Sequence, residues 1–386
     1  MDMTIPFSRA TQFPSIRLFA FLACLPTLAL PADGADAAGP DRVAILLREP
    51  TLRALAGPLR TYINDVEQRF PAKLQVVARD WKTPEDVRAA IKGLHGKQRI
   101  SGVILIGAMP MHRFHMHDFA NPNPLYYEDF DLKFGDPNKD GVADSYQGQP
   151  RLKVWVANLR CSVNAGDDDI ATLEMFLAKT HTYYHTKDAT APSALAVSGS
   201  DWPEGGTWFK DQVGGRLVAE NAITVLENKA CTMESVLKAF KERDRSLTYI
   251  QVHSDWNEQS TENGNLTAEQ VAQLKTGSLI TINHGCSTGN WMHNEAGNTR
   301  PNMAMSYVFG RNIGQAVIAQ VRTGMVYDQE ALYDRLAAGD CIGKAYFKTK
   351  QKAELRFMNG DHAPGDIVSG ILMIGNPFVQ IGPFKR

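Results

Sequence analysis

The chain has 386 residues, with 41 Lys and Arg against 42 Asp and Glu and a formal net charge of −1. That balance argues against nucleic acid or a charged membrane surface as the main partner. The apolar fraction of 44% and charged fraction of 22% are those of an ordinary globular protein, and the length allows two domains with cores of their own.

At the N-terminus, Arg9 and Arg17 precede an apolar stretch over 18–30 that Pro26 interrupts, and Ala35-Asp36-Ala37 supplies an A-x-A pattern. This reads as a secretory signal peptide over 1–37, cleaved after Ala37, and implies export to the periplasm, the exterior or the cell surface. No later segment has about 18 uninterrupted apolar residues, so the mature form is expected to have no membrane partner. The cysteines beyond this leader are Cys161, Cys231, Cys286 and Cys341. Their wide spacing, without C-x-x-C, matches neither a zinc site nor a disulfide framework, and leaves one disulfide among Cys161, Cys231 and Cys341 open.

Strand-like runs over 43–47, 74–78 and 102–106 alternate with helical patterns over 50–69 and 84–94, the second capped by Thr83. This rhythm predicts a parallel sheet with helices on both faces. It breaks from 109 to 150, where Pro, Asn, Asp and His are frequent; a loop of that length is usually functional or metal-bound. Within it, Asp136, Asn138 and Asp140 stand at alternate positions, followed by Gly141, Val142 and Asp144. Oxygen donors at alternate positions with Gly at the sharp turn suit a hard cation. The expectation is a structural calcium site of EF-like type, with Asp136, Asn138, Asp140, the Val142 carbonyl and Asp144 as ligands, and no organic cofactor. Position twelve is Gln147, so it is not an EF-hand. His112, His115, His117 and Asp118 match no metal motif and read as a polar loop.

The alternation resumes with a strand over 152–159 and a helix over 167–186. His181 and His185 lie one turn apart on that helix; without the glutamate of H-E-x-x-H they read as surface or packing residues. The polar segment 187–193 separates an N-terminal α/β subdomain, 38–190, from a second, 191–386. The second holds strands over 194–197, 223–226, 247–252 and 278–285 and helices over 207–220, 233–243 and 266–274, the last capped by Asn265 or Thr267. Segments 302–309 and 315–321 and two helices follow, and 371–374 closes the series.

Two apolar runs carry the chemistry. One leads straight into His253 and the other, through His284 and Gly285, into Cys286, with 33 residues between the two. In parallel sheets the carboxyl ends of neighbouring strands form the ligand crevice, so His253 and Cys286 are expected over one cleft. An imidazole beside a thiol favours the thiolate nucleophile and later protonates the leaving amine. Backbone N–H groups at Cys286 and Ser254 are candidate oxyanion donors. Gly285 and Gly289 let the backbone approach a substrate closely. Trp256 and Trp291 follow the two residues at similar offsets and are candidate substrate-binding groups.

On these residues the chain resembles the gingipain-type cysteine peptidases of the caspase-like clan, in which a His ends one strand, a Cys ends the next and a helix lies between. The likeness covers roughly 100–380. It includes the run Val103-Ile104-Leu105-Ile106-Gly107, then Tyr126-Tyr127-Glu128-Asp129, Val154-Trp155-Val156-Ala157-Asn158-Leu159, the segment from Asn265 through Trp291, and Met373-Ile374-Gly375-Asn376-Pro377. The resemblance implies a caspase/gingipain-like three-layer α/β sandwich of two tandem subdomains. It implies an endopeptidase acting on protein or peptide substrates, with Cys286 as nucleophile, His253 as general acid/base, and the Ser254 and Cys286 N–H groups on the oxyanion. By position, Asp201 and Glu204 are the candidate acids of a specificity pocket. Ser254 stands where the family usually has Gly, Asn376 where it has Asp, and His284 is an additional histidine. The Ser254 departure motivates a second reading, a catalytically degenerate binding or structural protein stabilised by calcium. A third reading is a hydrolase of another α/β type.

Overall fold

The fold was analysed in a computed structural model, which describes residues 40–116, 119–161, 168–186, 191–294, 300–323, 329–358 and 369–382. The predicted signal peptide lies outside the described residues, as do His117 and Asp118. The first half alternates β1 (Asp41–Leu47), α1 (Glu49–Arg69), β2 (Ala72–Ala78), α2 (Pro84–Gln98) and β3 (Gly102–Ile106). Thr83 caps α2 in a capping box with Asp86, satisfying two orphan amides, as its sequence predicts. The 109–150 segment is not one irregular loop. It contains the hairpin β4 (Arg113–Met116) and β5 (Phe119–Pro122), a single turn α3 (Leu125–Glu128), and the hairpin β6 (Lys133–Gly135) and β7 (Ser145–Gln147). These short strands escape period-two detection because each has only three or four residues. Then come β8 (Trp155–Leu159) and α4 (Ile170–His185), whose N-cap Asp169 accepts from the Thr172 N–H.

The second half has β9 (Ala194–Ser198), α5 (Gly205–Val213), β10 (Ile223–Glu227), α6 (Met233–Glu242) and β11 (Arg245–Gln251). It continues through the hairpin β12 (Glu258–Thr261) and β13 (Gly264–Thr267), α7 (Ala268–Gln273), β14 (Ser278–Asn283), α8 (Met303–Phe309) and β15 (Ala316–Gln320). The helices α9 (Glu330–Ala337) and α10 (Ile342–Met358) precede the last strand, β16 (Ile371–Gly375). The helices α5 and α7 are shorter than expected. α5 stops at Val213 because Gly214 is extended and Gly215 turns left-handed at φ +69°. α7 begins at Ala268, not 266, because 264–267 are held in the β12–β13 hairpin; Thr267 caps it.

Ten strands form one sheet in the order β10-β9-β11-β14-β15-β16-β8-β3-β1-β2. Every neighbouring pair is parallel except β15–β16. The sheet crosses the predicted subdomain boundary without a break, because β16 pairs with both β15 and β8. Alternate residues face the two helical layers: Val43, Ile45 and Leu47 join the core under α1 and α4, while Ala44 and Leu46 pack with Val87 and Ile91 of α2. This is the expected three-layer α/β sandwich of mostly parallel strands. No described helix is long and apolar enough to cross a membrane.

The joint between the halves has buried polar pins. Asn376, directly after β16, is fully buried; its Oδ1 accepts from Tyr62 OH at 3.0 Å and from the Phe378 N–H at 3.0 Å, and its Nδ2 donates to Tyr184 OH at 3.0 Å. Burial raises both phenols well above their ordinary pKa, so they stay neutral partners. A neutral amide suits this niche, whereas a carboxylate would carry charge into it without a donor for Tyr184.

Beside β16, Lys350 on α10 donates to Glu128 and to Tyr346 OH, and neither charged side chain reaches solvent. Burial pushes the Glu128 carboxyl up and the Lys350 amine down, and their attraction opposes both shifts. Breaking such a pair leaves one buried charge uncompensated. Lys350→Ala is therefore expected to lower the urea unfolding free energy by about 3–5 kcal/mol. The double variant Glu128→Gln, Lys350→Met should recover most of that loss; equal losses in both would contradict the uncompensated-charge account.

Candidate active site

Three strand ends converge. β9, β11 and β14 are neighbours, and the register pairs Gln251 with Ser198 and Ile250 with Asn283, so their carboxyl ends are level. The strands are almost wholly buried, and exposure begins just past their ends. Beyond β11 comes His253, with 63% of its side chain exposed; beyond β9 comes Asp201, 70% exposed; beyond β14 comes the half-buried Cys286.

The turn carrying Cys286 is tied at both ends. The Gly285 N–H donates to Asn283 Oδ1 at 2.9 Å, and Thr288 Oγ1 donates to the Gly285 carbonyl at 3.0 Å. Ser287 is left-handed at φ +55°, and its N–H donates to the Arg322 carbonyl, as the Gly289 N–H does to that of Gln320. A non-glycine residue in that conformation is held there by its surroundings. The glycines do not hold room for substrate, as expected from sequence; they touch the protein itself. A Cβ on Gly285 would fall 2.0 Å from Ser254 Oγ and 2.6 Å from Ser254 Cβ, and one on Gly289 would press on the Gln320 carbonyl and Ala319. The residue before Cys286 thus lies against the residue after His253.

His253 is oriented from two sides. Its Nε2 is 2.7 Å from Asp201 Oδ2, and its ring sits 4.9 Å from that of Trp202. An ionised carboxylate can only accept, so Nε2 carries the hydrogen and, in the neutral ring, Nδ1 keeps the lone pair. Asp201 and Trp202 are presented by a tight turn: the Trp202 N–H donates to the Gly199 carbonyl, and Ser198 Oγ to the Trp202 carbonyl. The β12–β13 hairpin holds the His253 backbone, through Ser260 N–H to its carbonyl at 2.8 Å and Asp255 N–H to the Glu258 carbonyl at 2.9 Å. The Ser254 N–H stays outside that ladder, while Ser254 Oγ donates to the Val252 carbonyl at 3.2 Å.

Several expected roles change. Asp201 directs its carboxylate at the imidazole and is not a lone pocket acid. Glu204 is exposed at the start of α5 and makes no side-chain cap. Trp291 is fully buried in the main core, with the Arg160 guanidinium 5.7 Å from its ring, and Trp256 is buried with its carbonyl accepting from Met303 N–H and Asn302 Nδ2. Neither tryptophan presents a face to a substrate; the aromatic that meets the histidine is Trp202. Its signal lay in the strand order, since a residue just past β9 neighbours one just past β11. His284 is a core residue engaged by the Gln329 side chain and tilted against Tyr249. No disulfide links Cys161, Cys231 and Cys341 among the described residues, and burial raises the Cys231 and Cys341 thiols to about 11.

The Asp-rich loop joins β6 to β7. Asp136 accepts from the Gly141 N–H at 2.9 Å and the Asp140 N–H at 3.3 Å; Asn138 Oδ1 also accepts from the Asp140 N–H; Asp140 Oδ1 accepts from the Val142 N–H at 2.8 Å. Gly141 makes the sharp turn at φ +83°. Asp144 is bonded instead to His115 Nδ1 at 2.6 Å. The donor set is all oxygen, as a hard cation requires, but its three carboxylates do not gather within 4.8 Å of one another. His112 is stacked on Tyr126 at 3.8 Å, and burial lowers its pKa to about 4, so it is a neutral packing residue.

A cavity of about 1100 Å³ lies between the 109–143 segment and α2, and Met292 is its one lining residue from beyond Cys286. His253, Asp201 and Cys286 do not line it. Gly285→Ala is expected to cost about 1–3 kcal/mol by overpacking against Ser254. Ser254→Gly in the same chain should restore most of the thermal stability. Additive losses in the double variant would show that this contact is not the cause.

No protein-family profile and no curated protein sequence matches the chain. Solved structures do. One described as the structure of a protease superposes with a TM-score of 0.66 at 13% identity, covering 89% of this chain and 79% of that one. The Arg-specific cysteine proteinase gingipain R (RgpB) gives 0.60 at 12%, covering 90% and 79%. The complex of Porphyromonas gingivalis RgpB pro- and mature domains gives 0.62 at 12%, covering 89% and 80%. The chain therefore has the fold of these gingipain structures.

Proposed function

We propose that the chain is an exported cysteine endopeptidase acting on protein or peptide substrates, with export directed by residues 1–37. The Cys286 thiolate attacks the scissile carbonyl, and the Ser254 and Cys286 N–H groups donate to the developing oxyanion. His253, through Nδ1, holds the thiol proton and passes it to the leaving amine, giving a thioester that water hydrolyses. Asp201 fixes the imidazole through Nε2. The observation that carries this reading is the contact of Gly285 with Ser254, next to a histidine already bonded to a carboxylate. The fold shared with cysteine proteinases agrees with it.

Profiling on fluorogenic peptides varied at P1 tests the proposal. Wild type is expected to cleave, Cys286→Ala to be inactive, and His253→Ala to lose about 10²–10⁴-fold. Asp201→Asn should lower kcat with KM nearly unchanged. A rise in KM confined to basic P1 residues would return Asp201 to the specificity pocket. No cleavage of any peptide, with calcium present, would favour the degenerate binding protein, a reading that Ser254 Oγ beside the Cys286 turn already motivates.

Calcium in the Asp136–Asp144 loop belongs to the same proposal, as a structural ion held by Asp136, Asn138, Asp140, the Val142 carbonyl and Asp144. Its support is the all-oxygen donor set and the way residues 140 and 141 curl their amides over Asp136. Calcium should raise Tm, chelation should reverse it, and Asp140→Ala should abolish the effect. Identical melting curves with calcium and with chelator would remove the ion from the account.

A further inference from the structure

We propose that Asp65, His181 and His185 form a binding site for a zinc-type, late first-row divalent cation. His181 and His185 are one turn apart on α4 and present their rings on one face, with centroids 4.4 Å apart. Both turn to a single carboxylate on a different helix. His181 Nδ1 lies 2.7 Å from Asp65 Oδ2, and His185 Nε2 lies 2.8 Å from Asp65 Oδ1. One ligand atom from each residue falls within 4.8 Å of the other two, and this is the one such trio of His, Cys, Asp or Glu among the described residues.

Three features favour a cation over plain helix-to-helix hydrogen bonds. The donor chemistry is two imidazoles and one carboxylate, which suits zinc and its neighbours, not calcium or magnesium. The carboxylate is only 6% exposed whereas the imidazoles are 48% and 49% exposed. The anion thus lies beneath two rings that stay open to solvent. Finally, the atoms need little movement. Metal–ligand distances of 2.0–2.1 Å in a tetrahedron place donor atoms about 3.3 Å apart; the donors already lie within 4.8 Å of one another, and the two His–Asp65 contacts would open by about 0.5 Å as one carboxylate oxygen turns to the ion. To coordinate, His181 Nδ1 and His185 Nε2 must present lone pairs, so the hydrogens they share with Asp65 would move to the other ring nitrogens, His181 Nε2 and His185 Nδ1.

The site is separate from the loops that carry His253, Asp201 and Cys286, and its argument does not rest on their chemistry. A bound cation would clip α1 to α4, whose partner residues are 116 and 120 positions apart in the chain. That makes it a staple for the layer that covers the first half of the sheet.

Isothermal titration with zinc chloride tests the proposal on the full chain carrying Cys286→Ala, so that a thiolate near His253 cannot compete. One zinc per chain is expected, with Kd of about 1 µM or tighter. Saturation should raise Tm by about 2–4 °C. Replacing zinc by cobalt(II) should produce visible d–d absorption. His181→Ala and His185→Ala, at half-exposed positions that leave the fold intact, should each weaken binding at least about tenfold and remove the cobalt bands. Zinc binding unchanged in both histidine variants, or no binding up to about 100 µM, would overturn the assignment.

Discussion

The pairing of β16 is the constraint on which the rest of the molecule depends. Without it, β15 and β8 would each leave a row of unpaired amides and carbonyls at a sheet edge, a state that folded proteins avoid. Five buried residues, Ile371–Gly375, close both edges at once. The side chains around the strand serve that closure: Asn376 between two tyrosines at its end, and the Lys350–Glu128 pair beside it. The segment supplies no candidate catalytic group. It supplies the continuity that makes one frame of two α/β halves.

Most of this frame was legible in the sequence, for a physical reason. Central strands of a parallel sheet are buried on both faces and read as short apolar runs, and the helices between them carry their own caps. Strands such as 43–47 and 102–106 and the cap at Thr83 follow directly, and the α7 cap is narrowed to Asn265 or Thr267, of which Thr267 holds the position. What stayed hidden was short, polar or antiparallel. β12 and β13 hold mainly polar residues around a Gly turn, so nothing in their composition separates them from loop. β16 looks like any other buried strand, and its direction opposite to β15 comes from the connection through α9 and α10.

At the candidate site, strand ends point to His253 and Cys286 but not to their partners. His253 and Cys286 stand out because each breaks from a buried run. Asp201 is 52 residues before His253 and follows a strand whose adjacency to β11 is a matter of topology. The same limit applies to Asp65, 116 residues from His181. An i,i+4 histidine pair is visible in a sequence, but the carboxylate that completes it, on another helix, is not. Trp256 and Trp291 show the opposite failure: similar offsets suggested a shared role, while their bulk and burial assign them to the core.

The exposure of the His253–Asp201 pair bears on how its electrostatics are set. Two groups this open to water interact through a high dielectric, and salt weakens them further. Among the described residues, the Trp202 ring is 4.9 Å from the imidazole. Whatever chain lies along the cleft would itself exclude the water and lower the local dielectric, strengthening the bond between imidazole and carboxylate as it settles. The occupant of the cleft thereby becomes part of the medium in which these residues act. Their polarity would then depend on how closely each occupant fits, and selectivity among occupants would not require a separate pocket.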